Sequence, residues 1–376
     1  MKRFGISLLS FLFISNSAWA LTGDDTFLHA QAAYQSRNDT QLAADANLLH
    51  SQNHPLANYA DYWLMLLKLT TSDKATTQDF LVANVDYPFA DKVRVEWLKI
   101  LAKRQDWPAF FEELPRYKRE DTAITCYAIE GRAKTGDLIA LAEGRALWMT
   151  SAEQPTNCNN VFDLMQQSKL LTQDDIWARF RLAIQDGQLN LAKTVIQRDE
   201  SLNKAQLKLI DTVYQNPKSA LDKKTVSHKT HLGRALNLYA IDKVARTQYD
   251  DAMAIWHKTM SNFEEDEKAY MWGRFAIHAA RRHDETALDL YSKVRNIDLD
   301  KEQLAWKVRA ALMVKNWPIV QATIADMPQA QQEEEAWRYW RGRAYKELRD
   351  VPKANAILVP LAKERTYYGL LAEEEL

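Results

Sequence analysis

Apolar residues in the second half of the chain recur at helical spacing, in segments about 34 residues apart. Each segment places apolar or small residues at positions i, i+3, i+4 and i+7, which lie on one face of an α-helix. The four segments are Ala252, Ile255, Trp256 and Thr259; Ala287, Leu290, Tyr291 and Val294; Val320, Thr323, Ile324 and Met327; and Ala354, Ile357, Leu358 and Leu361. Because this period is close to that of tetratricopeptide repeats, each segment is predicted to be the second helix of a helical pair.

The last pair is the most complete of these repeats. The apolar face of its first helix carries Trp337, Trp340, Ala344 and Leu348. Asp350 then offers an N-cap for the second helix. Such a pair can bury its apolar face only against neighbouring pairs. We therefore predict an all-α, tetratricopeptide-like superhelix in the form of a ring or a horseshoe.

The first 20 residues have the features of a secretory signal peptide. Lys2 and Arg3 supply positive charge, residues 4–14 are apolar, and Ala18 and Ala20 fit the small-residue pattern of a cleavage site. The apolar run is shorter than the roughly 20 residues that a membrane-spanning helix needs. We therefore predict export with cleavage after Ala20, and no later segment is apolar enough to span a membrane.

Composition and charge argue against several other classes of protein. The chain has only 10 Gly and 10 Pro among 376 residues, which disfavours β-sandwiches, barrels and glycine-rich phosphate-binding folds. The 49 Lys and Arg residues nearly balance the 50 Asp and Glu residues. A nucleic-acid-binding protein usually carries a basic excess or stripe, so no nucleic-acid partner is predicted.

Cys126 and Cys158 are the two cysteines of the chain. In an exported protein an isolated pair most simply forms a disulfide. The loop that it closes is about 30 residues long, and the chain-entropy model gives such a cross-link roughly 3–4 kcal/mol. We predict a structural disulfide between Cys126 and Cys158, because no further ligands at metal-binding spacing accompany them.

The remaining candidates for chemistry each have a simpler structural interpretation. His228 and His231 share a helix face at i, i+3, but a zinc site needs further ligands and no HExxH motif occurs, so surface histidines are predicted. Acidic runs at 264–267, 333–335 and 373–375 are interpreted as solvated residues at helix starts. The aromatic residues invite a sugar-binding interpretation, but Trp256, Trp337 and Trp340 are predicted to pack between repeats. We predict no metal, no cofactor and no catalytic residue.

Six short segments, in this order along the chain, resemble the N-terminal superhelical part of the large soluble lytic murein transglycosylases. The segments are PLANYADYW (55–63), RQDW (104–107), CYA (126–128), ALWMT (146–150), QPTNC (154–158) and EAWRYW (335–340). The paired cysteines are the most specific element, because this family carries a disulfide at the corresponding place.

The resemblance implies a ring or horseshoe of helices that supports a lysozyme-like catalytic domain in the periplasm. The family cleaves the β-1,4 bond between N-acetylmuramic acid and N-acetylglucosamine. A single glutamic acid acts as acid and then base, and the muramoyl 6-hydroxyl attacks to leave a 1,6-anhydro end. An attacking group that is already part of the substrate has a high effective molarity, which explains why water is not needed.

The sequence departs from this family at the catalytic domain. The family's Glu-Ser pair is followed by Gly-Leu-Met-Gln, and that motif is missing here, so Glu200 and Ser201 are interpreted as an unrelated match. The expected domains are a signal peptide (1–20), a repeat domain (21–364) and the truncated start of a linker domain (365–376). No catalytic residue carries over to this sequence.

The sequence therefore predicts the N-terminal part of a periplasmic lytic transglycosylase, which supports the enzyme and binds glycan strands while catalysis lies in the missing C-terminal domain. Other cell-wall enzymes are possible protein partners. The alternative is a self-contained periplasmic scaffold that binds protein partners in the grooves of its repeats.

Overall fold

A computed structural model describes residues 22–376 of the chain. These residues fold into α-helices and short 3₁₀ helices, with no β-strand among them. The predicted all-α, helical-repeat class is confirmed. The predicted signal peptide, with its cleavage site after Ala20, lies outside the described residues.

The described residues form two compact units. Unit 1 comprises residues 22–148 and 154–171, and unit 2 comprises residues 149–153 and 172–376. The helices of unit 1 are α1 (Gly23–Gln35), α2 (Asp39–Ser51), α3 (Ala57–Lys68), α4 (Lys74–Ala83), α5 (Pro88–Lys103), α6 (Trp107–Glu113), α7 (Thr122–Lys134), α8 (Gly144–Trp148) and α9 (Cys158–Gln167), with 3₁₀ helices at Leu114–Arg116 and Leu138–Glu143.

Unit 2 holds the longer series of helical pairs. Its helices are α10 (Gln173–Gln185), α11 (Leu189–Ile196), α12 (Lys204–Gln215), α13 (Pro217–Asp222), α14 (His231–Ala245), α15 (Tyr249–Thr259), α16 (Glu265–Arg281), α17 (Ala287–Ser292), α18 (Lys301–Met313), α19 (Trp317–Ala325), α20 (Gln329–Gln332), α21 (Glu335–Glu347), α22 (Val351–Leu361) and α23 (Tyr367–Glu375), with a 3₁₀ helix at Met260–Asn262. The domain boundary between residues 364 and 365 stays a prediction. The helix that follows this boundary, α23, packs with α21 and α22 around Tyr339, Leu358 and Ala372.

The same four-residue turn starts a helix at three places, one in unit 1 and two in unit 2. The turns are 105–108, 315–318 and 349–352. The first residue of each has a positive φ, between 53° and 63°. The second residue, Asp106, Asn316 or Asp350, is the N-cap, and its side-chain oxygen accepts a hydrogen bond from the backbone N–H three residues later. Proline then occupies the first turn of the helix, where its missing N–H costs nothing.

The repeating positions of the second helices form the core of unit 2, as the spacing predicts. The buried members are Ala252, Trp256, Ala287, Leu290, Tyr291, Val320, Thr323, Ile324, Met327, Ala354, Leu358 and Leu361. Each set packs against the first helix of its own pair and against the next helix or helices along the chain. This nearest-neighbour burial is how repeat proteins are stabilised.

The first helix of the last pair differs from the prediction in detail. Trp337 and Ala344 are buried, but Leu348 follows the end of α21 and is 42% exposed. Tyr339 is buried instead, because it packs on the far side of α21 against α23. Helix α21 carries two apolar stripes, and the i, i+3, i+7 spacing follows only the stripe that holds Trp337 and Ala344.

The irregular half of unit 1 is held by the predicted disulfide, which is present in the structure. Cys126 in α7 is bonded to Cys158, the first residue of α9, with 5.0 Å between their Cα atoms. Both cysteines are fully buried. Asn157 and Asn160 add hydrogen bonds from the start of α9 to the Ala123 carbonyl and the Glu130 carboxylate of α7. The cross-link and these bonds fix the two helices together.

From residue 22 onward, none of the helices combines the length and the apolar character needed to cross a lipid bilayer.

Candidate functional site

Buried carboxylates are the first place to look for a catalytic acid. In the described part of the chain the buried acidic residues are Asp45, Glu113, Glu130, Asp175, Asp199, Asp242 and Glu267. Each carboxylate has a partner: Asp45 has His29, Glu113 has Arg94, Glu130 has Lys134, Asp175 has the Thr172 hydroxyl, Asp199 has the Trp177 indole, Asp242 has Arg274 and Glu267 has Arg234. Such pairing is typical of structural carboxylates, because an unpaired buried charge is costly.

Asp242 in α14 has the densest set of partners. Its Oδ1 accepts a hydrogen bond from Arg274 Nε at 2.8 Å and lies 2.8 Å from His278 Nε2, both from α16. Arg246 adds a contact at 3.4 Å. Burial alone would raise the pKa of Asp242, but the His278 hydrogen bond and the Arg274 charge outweigh burial and hold that pKa far below its ordinary range. The group stays ionised and locks α14 to α16.

A glycosidase acid needs a carboxyl group whose pKa is raised in an open cleft. Seven aspartates and glutamates have a pKa that is lowered from its ordinary value: Asp73, Glu112, Asp137, Asp242, Asp284, Asp350 and Glu364. Glu200 is exposed in the loop before α12, and the Ser201 hydroxyl donates to Asp199 Oδ1 at 2.6 Å. None of these groups has the environment of a glycosidase acid.

The interpretation of the acidic runs as solvated residues at helix starts is wrong at two places. Residues 373–375 end α23 and do not start a helix. Glu267 is buried, although the run at 264–267 was interpreted as solvated. Its carboxylate accepts hydrogen bonds from Arg234 Nε at 2.8 Å and from the Glu264 backbone N–H at 3.0 Å, so it closes a capping box and ties α16 to α14. Its cationic partner lies 33 residues earlier in the chain, beyond the reach of a local pattern.

The two histidines at 228 and 231 contact different aromatic rings. His228 meets Phe263 edge to face, with 5.2 Å between ring centres. His231 stacks on Trp177 at 4.1 Å. Burial lowers the pKa of both imidazoles. Within residues 22–376, no three His, Cys, Asp or Glu side chains are grouped so that they could hold a metal ion.

The tryptophans divide into a buried set and a half-buried set. The buried tryptophans are Trp97, Trp107, Trp148, Trp177, Trp256, Trp272 and Trp337. Trp63, Trp306, Trp317 and Trp340 are half-buried. The prediction that Trp256 and Trp337 pack between repeats is therefore confirmed. For Trp340 it holds in part, because this ring packs against the core on one side and leaves part of its surface exposed.

A half-buried aromatic residue recurs at the sixth position of three successive first helices. These residues are Tyr270 in α16, Trp306 in α18 and Trp340 in α21. An arginine covers each ring, with its Cζ within 6 Å of the ring centre: Arg181 for Tyr270, Arg281 and Arg309 for Trp306, and Arg343 for Trp340. This distance is the range of cation–π attraction.

We call Arg281, Trp306, Arg309, Trp337, Trp340 and Arg343 the arginine–tryptophan surface. Arg309 lies between two rings, with its Cζ 5.0 Å from the centre of Trp306 and 5.2 Å from that of Trp337. Helices α18 and α21 together carry seven Lys or Arg residues and three Glu residues. Two arginines of this surface are paired, Arg281 with Glu302 and Arg343 with Glu375, so the charge that stays open is that of Arg309. Rings beside an open cationic group suit an anionic or carbohydrate ligand.

Fold and surface together define an all-α helical-repeat protein with a basic, partly aromatic surface on unit 2. The chain is homologous to the soluble lytic murein transglycosylases. It is 22% identical over 330 residues to the soluble lytic murein transglycosylase of Escherichia coli strain K12, and 23% identical over 330 residues to that of Salmonella typhimurium. The match covers 86% of this chain and 51% of each relative, so the chain spans about half the length of the curated relatives it matches. No protein-family model matches the chain.

Solved structures lead to the same family. The lytic transglycosylase Slt of Pseudomonas aeruginosa, solved as an inactive mutant, is 25% identical to this chain, with a TM-score of 0.62 over 93% of this chain and 57% of that one. The 70 kDa soluble lytic transglycosylase of Escherichia coli shares the fold at 20% identity, with a TM-score of 0.51 over 94% of this chain and 57% of that one. The predicted relationship to this family is confirmed.

Proposed function

We propose that this chain is the helical-repeat part of a periplasmic lytic transglycosylase, an enzyme that cleaves peptidoglycan between N-acetylmuramic acid and N-acetylglucosamine and leaves 1,6-anhydromuramoyl ends. The homology over 86% of the chain to soluble lytic murein transglycosylases is the observation that carries this proposal. The signal-peptide features of residues 1–20 support a periplasmic location.

Within that enzyme, the chain supports the fold and binds murein, and another part of the enzyme carries out catalysis. The state of the carboxylates supports this division. The buried acids of residues 22–376 are paired, seven carboxyl groups have a lowered pKa, and residues 1–21 contain neither Asp nor Glu. A lytic transglycosylase needs a glutamic acid that first donates and then accepts a proton, and such a group requires a raised pKa.

Two observations support murein binding, one from this part of the molecule and one from a structural relative. The arginine–tryptophan surface offers rings and positive charge on neighbouring repeats. In addition, the 70 kDa soluble lytic transglycosylase, whose fold this chain shares, has been solved in complex with bulgecin A.

The second candidate function is a periplasmic scaffold for protein partners. The repeated helical pairs of unit 2 favour it, since stacked pairs commonly present grooves that bind other proteins.

Incubation of the purified chain with intact murein sacculi separates these functions. We expect the chain to sediment with the sacculi and to release no 1,6-anhydro muropeptides. Release of such products by the chain alone would refute the division between binding and catalysis. Failure to sediment, together with stoichiometric capture of a periplasmic protein, would favour the scaffold.

A further inference from the structure

Arg309 has no carboxylate partner in the described part of the chain, unlike the other two arginines of the arginine–tryptophan surface. Arg281 pairs with Glu302, and Arg343 pairs with Glu375 at 3.1 Å. Arg309 is exposed and contacts only the rings of Trp306 and Trp337. Its guanidinium donors are therefore not occupied by a protein anion.

The two rings fix the position of this guanidinium. Trp337 is itself held in place, because it is buried and its indole N–H donates to Glu334 Oε2 at 3.0 Å. Trp306 packs against the core of unit 2. An arginine stacked between rings loses little further freedom when it binds a ligand, and its planar fork matches a carboxylate with two parallel hydrogen bonds.

The charge around Arg309 selects the sign of the ligand. Helix α18 carries Lys301, Lys307 and Arg309 against a single acid, Glu302, which is already paired with Arg281. Helix α21 carries four basic residues, of which Arg338 pairs with Glu364 and both Arg343 and Lys346 pair with Glu375. The positive charge that this surface leaves open to an anion is therefore chiefly that of Arg309.

We propose that Arg309, held between Trp306 and Trp337, binds a carboxylate group of a murein peptide stem. The inference rests on the proposed function, because it names the part of murein that this surface contacts. A neutral sugar hydroxyl would leave the charge of Arg309 without a counterpart, whereas a peptide carboxylate uses both the charge and the fork. The aromatic rings of the same surface then lie beside the glycan strand to which the stem is attached.

The test compares three variants for co-sedimentation with two preparations of murein. The variants are Arg309→Gln, which removes the charge, Arg309→Lys, which keeps the charge but loses the planar fork, and Arg295→Gln as the matched control. Arg295 is an exposed arginine of unit 2 between α17 and α18, outside the arginine–tryptophan surface. The preparations are intact sacculi and glycan strands whose peptide stems have been removed with an amidase.

We expect Arg309→Gln to weaken binding to intact sacculi by roughly tenfold, the loss of one charged hydrogen-bonded contact. Arg309→Lys should lie between Arg309→Gln and the unsubstituted chain, and Arg295→Gln should bind like the unsubstituted chain. Removal of the stems should weaken the unsubstituted chain to the level of Arg309→Gln and weaken that variant no further. An unchanged melting temperature for each variant shows that folding is intact.

Three results would overturn the inference. If Arg309→Gln binds sacculi as well as the unsubstituted chain does, Arg309 does not contact the stem, although murein binding itself stands. If the variant loses as much affinity for stem-free strands, Arg309 contacts a group that both preparations carry, and the stem assignment is wrong. If the unsubstituted chain binds neither preparation, the proposed function fails first.

Discussion

Unit 1 and unit 2 reach stability by different means. Unit 1 has irregular helices and a covalent cross-link, in which Cys126 and Cys158 join α7 to α9. Unit 2 contains no cysteine and repeats a helical pair about every 34 residues. Its pairs are joined by packing and by buried ion pairs, of which the Asp242 cluster has the most partners. A regular repeat can rely on its neighbours for burial, whereas an irregular segment gains more from a cross-link.

Asp242→Asn is expected to cause the largest loss of stability, and the loss should be confined to unit 2. The substitution keeps the shape of the side chain but leaves Arg274 buried without a counter-charge, which costs roughly 3–5 kcal/mol. Hydrogen exchange followed by mass spectrometry should show faster exchange in peptides from α14 and α16. Asp289→Asn, at an exposed aspartate of α17, is the control and should leave exchange unchanged.

The same carboxylate predicts how stability depends on pH. The folded pKa of Asp242 lies below its unfolded value, so its contribution is fully present above about pH 4 and is lost as the pH falls towards the folded pKa. Protection of α14 and α16 should decline on acidification in the unsubstituted chain. If Asp242→Asn declines to the same extent, the acid sensitivity comes from other groups.

Reduction of the disulfide should have the next largest effect, in unit 1. The bond spans 32 residues, and its loss is expected to cost roughly 3–4 kcal/mol by the chain-entropy model. The melting temperature should fall by several degrees, and exchange should become faster in peptides from α7 and α9. A Cys126→Ser and Cys158→Ser double variant should behave like the reduced protein and should not respond to reductant. Equal loss of protection in α18 and α21 would contradict a local role for the bond.

Removal of an N-cap should cause the smallest loss of stability, and the loss should be the same in both units. Asp106→Ala in unit 1 and Asp350→Ala in unit 2 each remove a cap from the same four-residue turn, at a cost of about 1 kcal/mol. Urea denaturation of each variant measures this loss. Asp79→Ala, inside α4 and exposed, is the control. If one substitution lowers the free energy of unfolding clearly more than the other, the surrounding unit, and not the local turn, determines how much the cap stabilises the protein.

The sequence predicted those features that depend on neighbours along the chain. The i, i+3, i+4 spacing located the buried faces of α15, α17, α19 and α22. Asp350 was identified as an N-cap because capping acts over three residues. The two cysteines could pair only with each other in an oxidised protein, so the disulfide followed from their number and from export.

Features that depend on contacts between helices were missed. Glu267 is buried because Arg234 approaches it from the preceding first helix. Arg309 is held by rings from two different helices, and Trp337 lies 28 positions beyond it, at 309 and 337. The recurring aromatic at the sixth position of α16, α18 and α21 was visible in the sequence once the first helices were aligned. The repeat pattern that predicts the fold lies in the second helices alone.

The cross-link in unit 1 also changes how the protein responds to a cut in its main chain. Every peptide bond from residue 126 to residue 158 lies inside a covalent loop closed by sulfur. A protease that cleaves there leaves one molecule on a non-reducing gel and two fragments after reduction. Within this stretch, the two sides of a cut stay joined through the disulfide. A broken backbone therefore does not divide the molecule for as long as the surroundings remain oxidising.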